Sequence, residues 1–229
     1  MRRRRRPALL LPGGPLGFPH PSTADDDGLL AVGGDLSLPR LLLAYRQGIF
    51  PWYDVGLPPL WWSPDPRAIV DPHSLHVSRS LARTLRRAPF TVTLNRDFEA
   101  VMRACGERDE GTWIIDDMLT AYAALHRAGH AHSVEVWQDG RLVGGLYGVS
   151  VGGLFAAESM FHRVTDASKV ALVAAVRGLF AAGVELFDVQ FLTPHLGSMG
   201  AWELPRDEYL ARLGSVVDAP VNLGVELAW

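Results

Sequence analysis

Val184-Glu-Leu-Phe-Asp-Val-Gln-Phe-Leu192 is the stretch on which the fold turns. Apolar residues, several of them β-branched or aromatic, are interleaved with polar ones, which predicts an extended strand. Strand side chains alternate faces, so Asp188 and Gln190 are expected on one side and Phe187, Val189 and Phe191 on the other. Immediately upstream, Asp166 is positioned to cap a helix over about residues 167–182, which Gly183 stops. Before that helix the period drops to two. Ser133–Trp137, Leu142–Val149 and Leu154–Phe161 read as strands separated by turns at Asp139-Gly140 and Gly152-Gly153. The order strand, strand, strand, helix, strand implies an α+β domain. A carboxylate two residues from an amide on a rigid strand suits holding and deprotonating a nucleophile. Taken alone, the pair also fits an edge strand with a polar face.

Toward the N-terminus, Ser37 is expected to cap a helix that begins Leu38-Pro39, carries Leu41, Leu42 and Tyr45, and ends near Gly48. Residues 49–76 are rich in Pro and Trp and read as loops with short strands. Ser78 to Arg87 is a helix in which Leu81 and Leu85 form the apolar stripe. Arg79, Arg83, Arg86 and Arg87 fall on its opposite face. A strand over residues 90–94 and a helix over 97–105 follow, the latter with Phe98, Val101 and Met102 inward. Asp116 and Asp117 suit the start of a helix carrying Met118, Tyr122 and Leu125. The chain divides into an irregular arm (1–27), a small N-terminal α/β domain (28–95) and a C-terminal acyltransferase-type α+β domain (96–229).

At 229 residues, with 48% hydrophobic and 21% charged content, the chain has an ordinary globular composition. Its one cysteine, Cys105, excludes an internal disulfide and fits a reducing compartment; it follows an apolar helical pattern and reads as core. Arg2 to Arg6 precede an apolar run, Ala8-Leu-Leu-Leu11, that is too short for a secretory signal and is ended by Pro12-Gly-Gly-Pro15. The arginine run reads as a solvated tail within reach of RNA. No stretch approaches the length needed to span a membrane, and a cytoplasmic protein is expected. The net charge of −3 argues against general nucleic-acid coating. The charge is unevenly spread: residues 1–110 carry 15 Arg against 12 acids, whereas residues 111–229 carry 7 basic residues against 13 acids. A basic half suits a phosphate backbone and an acidic half a cationic peptide.

Several blocks occur in a fixed order: Gly28-Leu-Leu-Ala-Val-Gly-Gly-Asp-Leu-Ser37, Tyr45-Arg-Gln-Gly-Ile-Phe-Pro-Trp52, Trp61-Trp-Ser-Pro-Asp-Pro-Arg-Ala68, Gly111-Thr-Trp-Ile114, Gly129-His-Ala-His-Ser-Val-Glu-Val-Trp137, Gly144-Gly-Leu-Tyr-Gly148, Glu158-Ser-Met-Phe161, Asp166-Ala-Ser-Lys169 and Thr193-Pro-His-Leu-Gly-Ser-Met-Gly-Ala201. Over roughly residues 28–212 the chain closely resembles the bacterial leucyl/phenylalanyl-tRNA–protein transferases. The resemblance implies a C-terminal domain with the fold of GCN5-related N-acetyltransferases. It implies transfer of leucine, phenylalanine or methionine from aminoacyl-tRNA to proteins with N-terminal Arg or Lys, generating N-degrons for protein degradation.

Residue by residue, the resemblance maps Asp188 and Gln190 onto the catalytic pair. It maps Glu158 onto the carboxylate that reads the acceptor's basic first residue. It maps Trp52 and Trp113 onto aromatics that stack on the terminal adenosine. Leu146, Met160, Leu172, Ala175, Leu179 and Phe187 are expected around the donor side chain, although Ala175 stands where the family has a large aromatic. Without the resemblance, the face of Leu172, Ala175 and Leu179 is simply core. The Arg79, Arg83, Arg86 and Arg87 face is expected on the acceptor stem; on its own it fits a solvated amphipathic helix. His130, His132 and His195 lack metal-ligand spacing and read as structural. No cofactor or metal is implied, and a monomer is expected. Two other readings stay open. One is a transferase using another acyl donor such as coenzyme A, which the glycine-free segment Phe161-His-Arg-Val-Thr-Asp-Ala-Ser-Lys169 argues against. The other is a non-catalytic reader of basic N-termini.

Overall fold

The computed structural model describes residues 6–87, 90–108 and 111–223. Its strands are β1 (Ala8–Leu10), β2 (Leu29–Gly33), β3 (Phe50–Pro51), β4 (Leu60–Trp62), β5 (Arg67–Val70), β6 (Thr91–Leu94), β7 (Ala131–Gln138), β8 (Arg141–Val151), β9 (Leu154–His162), β10 (Leu186–Gln190) and β11 (Trp202–Leu204). Its helices are α1 (Leu38–Arg46), α2 (Arg79–Arg87), α3 (Phe98–Gly106), α4 (Asp116–Arg127), α5 (Ala167–Ala181), α6 (Pro194–Ser198) and α7 (Arg206–Val216). β1, β2, β4 and β3 form a small sheet in that order. The large sheet runs β11-β5-β10-β9-β8-β7-β6, and the strand, strand, strand, helix, strand run occupies its centre as β7, β8, β9, α5 and β10.

Both faces of the large sheet are covered. Val143 to Val151 of β8 are buried without a break, because α5 packs on one side and α3 on the other. Gly144 lies where α5 begins. A Cβ there would sit 2.5 Å from the Cβ of Ala167, so the helix approaches only because position 144 has no side chain. One apolar cluster joins α5 to Val134, Val136 and Leu146. The other joins α1, α3, α4 and α7 to Tyr147 and Val149, and continues into the small sheet through Leu30 and Trp61.

The mixed α/β class is as expected, but several local readings change. The arm is not wholly irregular: β1 pairs in parallel with β2, because Leu10 and its neighbours find a free sheet edge there. The solvated tail expected of Arg2 to Arg6 falls outside the described residues, apart from Arg6, which is exposed. β5 and β6, which lie within residues 28–95, are strands of the large sheet beside β10 and β7. The side chain of Ser37 makes no capping bond to α1. Asp166 has left-handed backbone (φ 69°), and its carboxylate accepts from Thr84 Oγ1 and Lys169 Nζ instead of capping α5. Asp97 caps α3 by accepting from the Ala100 N–H.

Candidate active site

Two β-bulges make the site. β9 and β10 run parallel but are paired only at Leu154–Leu186, Phe155–Phe187 and Ala156–Asp188. Just beyond, the register of β9 against β8 slips between Tyr147 and Gly148, leaving Glu158 as the extra residue. On the other strand, the register of β10 against β5 slips between Asp188 and Gln190, leaving Val189 as the extra residue. Bulges bend strands and re-aim side chains. Here the two strands part, and a cavity of about 400 Å³ opens between them. Ala157, Glu158, Ser159 and Met160 line one side, and Val189, Gln190 and Phe191 line the other. Phe50, Pro51 and Trp52, Arg108 and Trp113, and Thr193, His195 and Leu196 complete the wall.

The β10 bulge separates the expected pair. Gln190 takes left-handed backbone (φ 59°), which strains a non-glycine residue. Its side chain lines the cavity with the residue only 8% exposed, and its Nε2 is buried without a hydrogen-bond partner. Asp188 does not line the cavity. Strict alternation would have put both on one face, and the extra residue breaks it. The carboxylate of Asp188 is fully buried and takes four hydrogen bonds. Oδ1 accepts from Arg67 Nε (2.9 Å) and from the Gln190 N–H (2.9 Å), and Oδ2 accepts from Arg67 Nη2 (2.5 Å) and the Tyr209 hydroxyl (2.9 Å). Arg67 Nη1 also donates to the Gly48 carbonyl (3.0 Å), and its guanidinium lies over the rings of Phe50 and Tyr209. Burial works against the Arg67 charge, but Asp188 and Tyr209 outweigh it and its pKa moves up.

Glu158, half-buried, meets two tyrosines from opposite helices. The hydroxyl of Tyr45 on α1 lies 2.8 Å from Oε1 and that of Tyr122 on α4 lies 3.2 Å from Oε2, while the two hydroxyl oxygens lie 2.5 Å apart. Burial pushes the Glu158 carboxyl up to about 8, with Asp188 adding to the shift; the tyrosine hydrogen bonds and Arg67 pull the other way. Around the mouth, Trp52 is 42% exposed and contacts both Trp62 and Phe191. Arg108 Nη2 donates to Ser159 Oγ (2.8 Å).

Of the residues expected at the site, Glu158, Gln190, Trp52, Trp113 and Met160 meet in this cavity. Leu146, Leu172, Ala175, Leu179 and Phe187 are fully buried in the cluster behind its wall, to which Ala157 and Val189 also belong. Arg79, Arg83, Arg86 and Arg87 are exposed on α2. On the same helix Thr84 donates to Asp166, which also accepts from Lys169 of α5. His132 is buried between Asn95 and Ser150, away from the wall. Cys105 is buried and its thiol pushed up to about 12, so it is no nucleophile. Among the described residues no group of three or more His, Cys, Asp or Glu could hold a metal ion.

Sequence reasoning missed Arg67, Tyr209, Tyr45 and Tyr122 as parts of the site. Tyr45 and Tyr122 were legible only as apolar helix positions. Arg67 carried one signal, a charge set directly before the apolar run Ala68-Ile-Val70.

A sheet splayed over an apolar cavity, with a carboxyl on one lip and an unpaired amide on the other, suits a transferase that holds an amine against an acyl carbonyl. Family models agree. One for leucyl/phenylalanyl-tRNA protein transferase matches residues 69–214, and one for the N-terminal domain of the same proteins matches residues 34–65. The chain is 54% identical over 222 residues to the leucyl/phenylalanyl-tRNA–protein transferase of Anaeromyxobacter sp. (strain K), covering 95% of each. It is 54% identical over 207 residues to that of Yersinia enterocolitica, covering 89% of this chain and 88% of that protein. A solved GCN5-related N-acetyltransferase from Kribbella flavida is similar with a TM-score of 0.41 and 15% identity, over 71% of this chain and 58% of that one. The chain belongs to the leucyl/phenylalanyl-tRNA–protein transferase family, and it is an aminoacyltransferase. No described helix is long and apolar enough to cross a membrane.

Proposed function

We propose that this protein transfers leucine, phenylalanine or methionine from aminoacyl-tRNA to the α-amino group of proteins that begin with Arg or Lys, creating N-degrons. The observation that carries the reading is the meeting of Glu158 and Gln190 across one cavity with an apolar wall and an aromatic rim. The terminal adenosine stacks on Trp52 and Trp113, a contact worth about 1–3 kcal/mol per base and tolerant of sequence. The donor side chain lies against Ala157, Met160 and Val189, with Leu146, Leu172, Ala175, Leu179 and Phe187 as the layer behind. The acceptor's guanidinium or ammonium pairs with Glu158. The exposed arginines of α2 take phosphates of the acceptor stem.

The chemistry asks little beyond alignment. An aminoacyl ester is already activated, and an α-amine has a pKa of about 7.7–8, so a useful fraction is neutral at physiological pH. Gln190 accepts a hydrogen bond from the attacking amine and holds it against the ester carbonyl. Asp188 orients the site, since every one of its hydrogen bonds is spent on Arg67, Tyr209 and the Gln190 backbone. Coenzyme A is disfavoured as donor: the segment 161–169 leading into α5 has no glycine to let backbone N–H groups wrap a pyrophosphate. The enzyme acts as a cytoplasmic monomer in this reading.

The test is isotope transfer from charged tRNA to a peptide beginning with Arg. Label in the peptide supports the reading. Transfer seen only with an acyl-coenzyme A would replace the donor, and binding without transfer would make the protein a reader.

A further inference from the structure

The ring of oxygens around Glu158 has more close contacts than two tyrosine protons can serve. Tyr45 and Tyr122 hydroxyls lie 2.5 Å apart, and they lie 2.8 Å and 3.2 Å from the two carboxyl oxygens. Three contacts at hydrogen-bond distance need three protons, and two tyrosines bring two. With Glu158 ionised, two protons serve only two of the three contacts: either both hydroxyls donate to the carboxylate and the 2.5 Å approach sets lone pair against lone pair, or one hydroxyl donates to the other and the 3.2 Å contact holds no proton. With Glu158 protonated, the ring closes: the carboxyl O–H donates to one hydroxyl, that hydroxyl to the other, and the second to the remaining carboxyl oxygen.

The surroundings agree with the closed ring. Desolvation opposes the ionised form of Glu158, Tyr45 and Tyr122 alike. Asp188 on β10 adds a like charge, and Tyr147 on β8 and Tyr53 before β4 contribute no cation. Arg67 on β5 is the cation facing the group, and its guanidinium is already spanned by Asp188. Arg108 at the wall acts on Tyr147 and spends its hydrogen bonds on Ser159 and the Cys105 carbonyl.

Resting on the assignment of Glu158 to the acceptor's basic side chain, we propose that Tyr45 and Tyr122 are specificity-determining residues of the acceptor site. They close Glu158 into a protonated ring that only a cationic first side chain opens. On opening, the carboxyl O–H bond breaks, the proton leaves to solvent, and the carboxylate accepts N–H bonds from the incoming guanidinium or ammonium. The empty site therefore holds no unpaired buried charge. A neutral first side chain offers the ring nothing in exchange for the hydrogen bonds it would break, and it is rejected.

The experiment uses the full-length wild-type enzyme with ¹³C-carboxyl-labelled glutamate, Glu158 being assigned by its absence in Glu158→Gln. At pH 7 the free enzyme should show Glu158 at the protonated shift. Saturation with a short peptide beginning with Arg should move it to the ionised shift. Calorimetry of the same binding in two buffers of different ionisation heat should give about one proton released. A Tyr45→Phe/Tyr122→Phe variant should discriminate between Arg- and Leu-starting peptides about tenfold less well in competition. An ionised Glu158 in the free enzyme, or no change of shift in the complex, overturns the proposal whether or not that variant folds. Peptide binding unaffected by Glu158→Gln instead overturns the assignment of Glu158 to the acceptor, a different failure.

Discussion

The backbone N–H of Gln190 donates to Asp188 Oδ1 at 2.9 Å across the residue that the β10 register skips. This bond holds Gln190 in left-handed backbone, and the Arg67–Asp188–Tyr209 cluster holds Asp188. Asp188 thus acts on the cavity through Gln190. Asp188→Asn leaves the Arg67 charge buried without its partner, and an amide NH₂ would face donors. Loss of one partner of a buried pair typically costs about 3–5 kcal/mol. The expected result is reduced stability in urea and slow single-turnover transfer, with charged-tRNA binding by the folded fraction retained. Gln190→Ala should slow transfer with little loss of stability, because its amide Nε2 has no partner to lose. The two losses of rate should not add. Wild-type stability in Asp188→Asn would refute the anchoring role.

Glu158 links stability to pH with an unusual sign. Its folded pKa is raised to about 8 from 4.5, so the fold prefers the neutral carboxyl. The stabilisation is fully present below pH 4.5. It is lost as pH rises toward 8, because the unfolded chain ionises there while the folded one resists. Glu158→Gln, neutral at every pH, should therefore be less destabilised than wild type between pH 5 and pH 8. Urea midpoints measured across that window check this; parallel curves for the two proteins would contradict a raised pKa.

The exposed arginines of α2 are expected to act by charge alone. Replacing Arg83, Arg86 and Arg87 with Ala should weaken charged-tRNA binding and flatten its salt dependence, each lost phosphate contact removing about 0.9 from the slope on a duplex. The preference between Arg- and Lys-starting peptides should stay the same. An unaltered slope in a filter-binding series would leave this face merely solvated.

What was legible in the sequence follows from the range of the interactions involved. The β7 to β10 run and α5 are set by local periodicity, glycine turns and continuous burial, and they lie within a residue or two of their expected bounds. The face of Asp188 was not legible, because a bulge depends on how two distant strands slip against each other. Arg67 could not be paired with Asp188 from pattern, since the two are separated by 121 residues and the pair forms only when β5 inserts beside β10. Tyr45 and Tyr122 sit at ordinary inward positions of two helices. Only the docking of α1 and α4 brings their hydroxyls to one carboxyl.

Donor choice should be decided at the cavity wall rather than at residue 175. Unbranched and γ-branched side chains enter a narrow slot beside the ester, whereas Ile and Val are wide next to the carbonyl, so Leu, Phe and Met should all be used well above Ile and Val. Ala175 stands where the family has a large aromatic, and a donor pocket formed at that position would be deeper for it. In the fold Ala175 is fully buried among core neighbours, while Met160 lines the cavity. Ala175→Phe should then overpack the core at a cost of about 1–3 kcal/mol and leave the leucine-to-phenylalanine ratio nearly unchanged. Met160→Ala should widen the slot and shift the ratio toward phenylalanine. Because a few methylenes in an apolar pocket are worth only about 1–3 kcal/mol, the shift should be about tenfold rather than absolute. The measurement is competition between leucyl- and phenylalanyl-tRNA at limiting enzyme, paired with an unfolding curve for each variant. A stable Ala175→Phe protein whose ratio moves toward leucine would put residue 175 in direct contact with the donor and shift the slot from the wall into the α5 face.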